Sequence, residues 1–163
     1  TYNLNVFDPT WFRFKSRKMI ELLKKQMRYK NQKRKLLVEC DAYIRFLEAG
    51  GKVFSAELNK DLILGYLQRS IPVLTGLSAT YLYGTPREIG DTNKYDSIKG
   101  EPAGHFVVIN GFDEKSDSVY LADPLNPNPR KSQYYNVKFD RLINSIMLGI
   151  VTYDANLLII EPE

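Results

Sequence analysis

Gly104-His105-Phe106-Val107-Val108-Ile109-Asn110-Gly111-Phe112-Asp113, followed after a short turn by Ser118-Val119-Tyr120-Leu121-Ala122-Asp123-Pro124, decides how this chain folds. Both runs are rich in β-branched and aromatic residues and are bounded by Gly, Asp and Pro, the pattern of two strands joined by a turn through 113–117. His105, the single histidine of the chain, heads the first strand, and Asp123 ends the second. A hairpin can hold such a pair together. Imidazole carries protons near neutral pH, and a carboxylate behind it fixes its tautomer and orientation. A lone histidine at a strand start is also a common structural residue, and Asp-Pro after a strand is ordinary turn chemistry. Both readings stand at this point.

Working outward, Ile71-Pro72-Val73-Leu74-Thr75-Gly76-Leu77 reads as a short apolar strand with proline near its start, where a strand tolerates it. Residues 84–103, rich in Gly, Pro, Asp and Lys, read as a long loop just ahead of His105. Loops of this length are usually functional or mobile, and this one is a candidate rim or lid, with Tyr81 and Tyr83 as candidate lining residues, at least one of them expected to pack in the core instead. After Asp123 the segment 124–130 holds three prolines and two asparagines, a rigid irregular crossing. A strand over 134–137, a helix over 140–148 and a strand over 156–160 complete the C-terminal half.

Upstream, the alternation of Tyr2, Leu4 and Val6 with Asn3 and Asn5 predicts a strand over 2–7, ended by Asp8-Pro9. Ser16 is a candidate N-cap for a helix carrying Met19, Leu22, Leu23, Gln26 and Met27 on one face. A second helix over 33–49 carries Leu36, Leu37, Cys40, Tyr43, Ile44 and Leu47, and Gly50-Gly51 stops it. A short strand over 52–55 and a helix over 59–69, with Leu62, Ile63, Tyr66 and Leu67 inward, follow. Helices first and mostly antiparallel strands later give an α+β class, expected as N-terminal helices packed on a C-terminal sheet in a single domain over 1–163.

At 163 residues, with 44% hydrophobic and 26% charged residues, the composition is that of a globular domain. No apolar run approaches the roughly 20 residues of a membrane span. The net charge of +4 conceals a block over 15–35 with ten Lys or Arg against Glu21 alone, a local +9 that leaves −5 for the rest. Such a block can serve as a solvated helix face or as a dock for anions. With no Gly-rich phosphate loop and no interleaved aromatics, the sequence argues against a nucleic-acid partner. One cysteine rules out an internal disulfide and points to a reducing, cytoplasmic setting, although an upstream signal stays open. One His, one Cys and scattered carboxylates give no metal-ligand spacing, and nothing implies a cofactor.

Taken in order, the helix over 59–69, the strand beginning Ile71-Pro72-Val73-Leu74, the His105 strand, the Asp123-Pro124 strand and Tyr135-Asn136-Val137-Lys138-Phe139-Asp140 resemble the bacteriocin-processing leader peptidases and their free-standing relatives. These are a branch of the papain-like cysteine peptidases, and the likeness is clearest over 59–148. The resemblance implies a papain-like fold, a peptide or protein substrate, His105 as the catalytic histidine and Asp123 as its orienting aspartate. It also implies a nucleophilic cysteine at the start of an early helix, a few residues after a glutamine. A helix N-terminus lowers a thiol's pKa, which is the reason for that placement.

No such Gln-then-Cys pair precedes the first expected strand. Cys40 falls at helical spacing from Leu36, Leu37, Tyr43 and Ile44, so it is expected as an inert core thiol. No Gly-x-Ser-x-Gly elbow offers a serine in its place. The opening without Met, inside an alternating segment, predicts an upstream segment or a second chain that completes the fold. The expectation is therefore the C-terminal part of a cysteine peptidase, inactive alone. The alternative is a non-catalytic relative that binds a peptide or protein partner in its cleft.

Overall fold

The computed structural model describes residues 1–92 and 94–162, the side chain of Asp91 excepted. The chain divides into two compact units, residues 1–56 and 57–163.

The first unit is built on two helices, α1 (Ser16–Tyr29) and α2 (Arg34–Glu48), joined by the four residues 30–33 and packed together. Met19 and Leu23 of α1 and Leu36, Cys40, Ile44 and Leu47 of α2 are buried, as the 3.6-residue spacing requires. Ser16 is the first helical residue and not the cap. Lys15 occupies the N-cap without a side-chain hydrogen bond, so the cap expected at Ser16 is displaced by one residue.

The strand expected over 2–7 does not form. Backbone bonds from Leu4 N to Tyr2 O and from Val6 and Phe7 N to Asn3 O curl this segment into turns. Asn3 Oδ1 accepts from Asn5 N, the local side-chain bond by which asparagine competes with extended structure. Val6 and Phe7 are thereby both buried although adjacent, with the Phe7 ring edge-on to Tyr43 at 4.7 Å. The strand expected over 52–55 is also absent, since these residues pair with no strand among the described residues and Phe54 lies exposed.

The second unit holds α3 (Lys60–Leu67), β1 (Val73–Ser78), α4 (Ala79–Tyr83), β2 (Gly104–Asp113), β3 (Ser118–Ala122), β4 (Tyr134–Lys138), α5 (Phe139–Leu148) and β5 (Asn156–Ile159). Asn59 caps α3, its Oδ1 accepting from Leu62 N at 2.9 Å, and Ile63 is the residue of α3 that is fully buried. The five strands form one sheet in the order β4-β3-β2-β1-β5, every neighbouring pair antiparallel. α5 packs on β1, β3 and β4, and Phe139, Leu142 and Ile146 are buried with Val73, Leu77, Val107, Ile109, Val119, Leu121 and Val137. Gly76 pairs with both Phe106 and Asn156, and a Cβ there would sit 2.2 Å from the carbonyl oxygen of Asp154. Only glycine lets the chain at 154 lie that close to the strand. The resulting α+β architecture, helices first and antiparallel strands later, is consistent with a papain-like fold.

The long connection between α4 and β2 is tied to itself. Glu88 and Glu101 exchange backbone bonds, and Asp96 Oδ1 accepts from Ile98 N and Lys99 N. Residue 93 of the expected rim lies outside the described residues. Where the loop rejoins the sheet, Ala79 N donates to Ala103 O and Ala103 N to Thr80 Oγ1. These bonds anchor the residue next to Gly104 and so fix the entry of β2.

Candidate functional site

Strand register brings His105 and Asp123 to the same face of the sheet, and a bulge is what achieves it. Near the turn, β2 pairs with β3 as Asp113↔Ser118, Phe112↔Val119 and Gly111↔Tyr120. Past Asn110 the pairing becomes Ile109↔Leu121 and Val108↔Ala122, a shift of one residue. Without the shift, Asp123 would stand opposite Val108 and its side chain would share a face with Phe106, away from His105. With the shift it falls opposite Val107, two residues from His105 on the same face, which makes the two diagonal neighbours. Bulges of this kind re-aim side chains beside functional sites.

The contact follows directly. His105 Nε2 and Asp123 Oδ1 are 2.8 Å apart. Asp123 is 2% exposed, and its carboxylate accepts three further bonds: Leu125 N to Oδ1 at 2.9 Å, Tyr83 OH to Oδ2 at 2.8 Å and Tyr135 OH to Oδ2 at 2.6 Å. Burial opposes ionisation of this carboxyl. The bonds from Tyr135, His105, Leu125 N–H and Tyr83 together outweigh it and hold the group below the usual aspartate value. Burial, and next the hydrogen bond to Asp123, push both tyrosine hydroxyls far above their usual range, so both remain donors.

An ionised Asp123 has no proton to give, so the proton of the 2.8 Å contact rides on Nε2 of His105. In the neutral imidazole the lone pair is then on Nδ1. Nδ1 has no hydrogen bond among the described residues, and no buried side-chain nitrogen there lacks a partner, so Nδ1 is open to solvent. The imidazole itself is only 19% exposed. A base wired from behind, with one nitrogen presented outward, can take a proton from a nucleophile and return it to a leaving group.

Sequence reasoning placed His105 and Asp123 and named Tyr83 as a lining residue. Tyr83 reaches Asp123, with its ring centroid 6.1 Å from the imidazole. Tyr81 is 38% exposed and lies under the Arg141 guanidinium, away from the carboxylate's hydrogen bonds. Tyr135 was missed. Its signal was present: β4 alternates, and Tyr135 shares the face of buried Val137, so its hydroxyl points inward and needs an acceptor. Cys40 is fully buried, with Gln26 Nε2 at 3.6 Å from its sulfur, and burial raises its thiol above the usual value despite that bond. The basic block over 15–35 is largely exposed, and within it Lys18 pairs with Glu21 and Lys24 with Glu48. No group of three or more His, Cys, Asp or Glu side chains able to hold a metal ion occurs among the described residues. No helix there is long and apolar enough to cross a membrane.

A family model described as the Peptidase_C39 like family matches residues 21–145. No curated protein and no solved structure matches the chain. The matched span covers most of the sequence and contains His105, Asp123, Tyr83 and Tyr135, and on this match the chain belongs to the Peptidase_C39 like family.

Proposed function

We propose that this chain carries the base half of a cysteine peptidase site, with His105 as general acid and base, Asp123 as its orienting carboxylate, and the thiol supplied by a cysteine outside these 163 residues. The observation that carries the proposal is the bond from His105 Nε2 to a four-fold hydrogen-bonded Asp123, which leaves Nδ1 open. Cys40 does not serve as the nucleophile, because a sealed thiol whose pKa is raised by burial is neither ionised nor reachable.

In the reaction, Nδ1 takes the thiol proton and the thiolate attacks the carbonyl carbon of a peptide bond. The imidazolium formed is stabilised by Asp123 and then protonates the departing amine as the C–N bond breaks, leaving a thioester. Nδ1 next deprotonates a water that attacks the thioester, and the thiol leaves with that proton. The substrate is a peptide or a protein; leader removal from a precursor is what part of the resembled family does, and its free-standing members need not share it.

The test is alkylation of the native full-length protein by iodoacetamide near pH 6, read by mass spectrometry. A cysteine other than Cys40 should be modified, and His105→Ala should slow that reaction by about 100-fold or more, since the thiolate depends on its imidazole partner. Modification confined to Cys40 after denaturation would sink the proposal. The same holds for a rate indifferent to His105→Ala. The non-catalytic peptide-binding reading would then replace it.

A further inference from the structure

We propose that Tyr83 and Tyr135 are positioning residues of this site: their two hydroxyls converge on Oδ2 of Asp123, fix the plane of the carboxylate, and leave Oδ1 as the oxygen that faces His105. The inference rests on the assignment of His105 as the site's base and deepens it.

The geometry has three parts. First, the donors arrive from different elements. Tyr83 is the last residue of α4, whereas Tyr135 lies in β4 opposite Leu121 of β3. Two donors from separate directions hold a carboxylate against rotation in a way that one cannot. Second, Tyr135 and His105 flank Asp123 symmetrically, each two residues along from the position opposite it on its neighbouring strand. Third, the tyrosines share a brace. Arg130 Nη2 donates to Leu82 O at 2.9 Å, next to Tyr83, and the same guanidinium lies 5.8 Å from the centre of the Tyr135 ring. Arg141 Nη1 adds a bond to Tyr81 O at 2.6 Å. Cations on the last carbonyls of a helix stabilise its end, here the end that presents Tyr83. Arg130 is itself placed by Asn128, whose Oδ1 accepts from Arg130 N while its Nδ2 donates to Leu125 O and Ser132 O.

The division of labour has a chemical consequence. Oδ2 is occupied by two neutral donors that do not give up their protons, so Asp123 presents a fixed negative charge to the imidazole. The imidazole can then turn over its Nδ1 proton without rotating away from the carboxylate, which preorganisation of this kind requires.

Because the chain has one histidine, its Hε2 proton gives a single unambiguous signal in isotope-labelled protein. NMR of the full chain is recorded for Tyr83→Phe, Tyr135→Phe and the double variant, following solvent exchange of Hε2 and the acid titration of the Asp123 carboxyl. Phenylalanine keeps the ring packing and removes only the hydroxyl. Each lost hydroxyl should speed Hε2 exchange by about tenfold, the equivalent of one hydrogen bond to a charged group, and move the Asp123 midpoint upward. Arg130→Lys should also speed exchange, but add little in the double-Phe background, where the two hydroxyls it helps to position are gone. Wild-type exchange and an unmoved midpoint in both single variants would overturn the proposal, whatever happens to thermal stability. The single variants decide it alone if the double variant does not fold. No readout here needs a nucleophile, so this test can fail while the alkylation test succeeds, and the reverse.

Discussion

Cys40 and His105, the single cysteine and the single histidine of the chain, both carry side chains capable of nucleophilic or acid–base chemistry, and their surroundings assign them opposite fates. Cys40 faces inward from the middle of α2, fully buried, with Gln26 Nε2 3.6 Å from its sulfur. His105 stands at the open end of β2, one nitrogen bonded to a buried carboxylate and the other to nothing among the described residues. Burial suppresses the thiol by disfavouring its charged form. Partial burial equips the imidazole instead, because the carboxylate behind it is kept ionised by donated hydrogen bonds. Being buried does not decide reactivity. What decides it is whether the charged form of the group, or of its partner, is solvated by protein.

The largest effect that would break this contrast is removal of that solvated partner. Asp123→Ala strips the acceptor from Tyr83 OH, Tyr135 OH and His105 Nε2–H at once. Buried donors left without acceptors cost the full desolvation of each, so the variant should lose about 3 kcal/mol or more in urea unfolding. A loss under about 1 kcal/mol would mean that water replaces the carboxylate freely, and that the site is wetter than the fold implies. Cys40→Ala probes the other region and should cost only about 1 kcal/mol, the loss of a few packed contacts and of the long bond from Gln26 Nε2, which keeps its bond to Val6 O. In native protein Cys40 should resist a disulfide reagent until denaturant is added. Rapid native-state labelling would show that α1 and α2 open readily, and would restore Cys40 as a candidate nucleophile.

The same contrast explains what could be read from the sequence. The β2–β3 hairpin was legible because period-2 burial, β-branched residues and Gly/Asp punctuation all agree there, and the helices of 16–67 because apolar residues recur every three or four positions. The bulge at Asn110 was not legible. Nothing in Ile109-Asn110-Gly111 states on which residue the ladder slips, yet that slip sets whether His105 and Asp123 share a face. The pairing was inferred from the strand ends and from family likeness, while the register that produces it is a tertiary fact. The error over 2–7 has the opposite origin. Alternation was real in composition, but Asn3 satisfied the backbone locally, and the described residues of 1–56 hold no strand for it to pair with. Tyr135 went unnoticed because an inward tyrosine reads as core until its acceptor is known.

The smallest expected effects lie in the pH dependence of stability, and there the two regions separate cleanly. Asp123 has a folded-state pKa below its unfolded value, so its contribution is complete above about pH 4 and is lost as pH falls through the folded value. Asp8, Glu21, Asp96 and Asp113 shift in the same direction, so the measurement is the difference between wild type and Asp123→Asn, followed by urea unfolding from pH 6 downward. Wild type should lose stability more steeply. Cys40, Tyr83 and Tyr135 have folded values raised above their unfolded ones, so their contributions are complete at neutral pH and are lost as pH rises. The thiol begins to lose its share above about pH 8.5 and the tyrosines theirs above about pH 10, the unfolded-state values. Cys40→Ala should therefore flatten the first part of the alkaline decline, and the double Phe variant the second. If the double variant leaves the decline above about pH 10 untouched, the two hydroxyls ionise as freely in the folded protein as in the unfolded chain. A carboxylate facing two phenolates would then no longer be solvated by donors, and the distinction between the two regions would not hold at high pH.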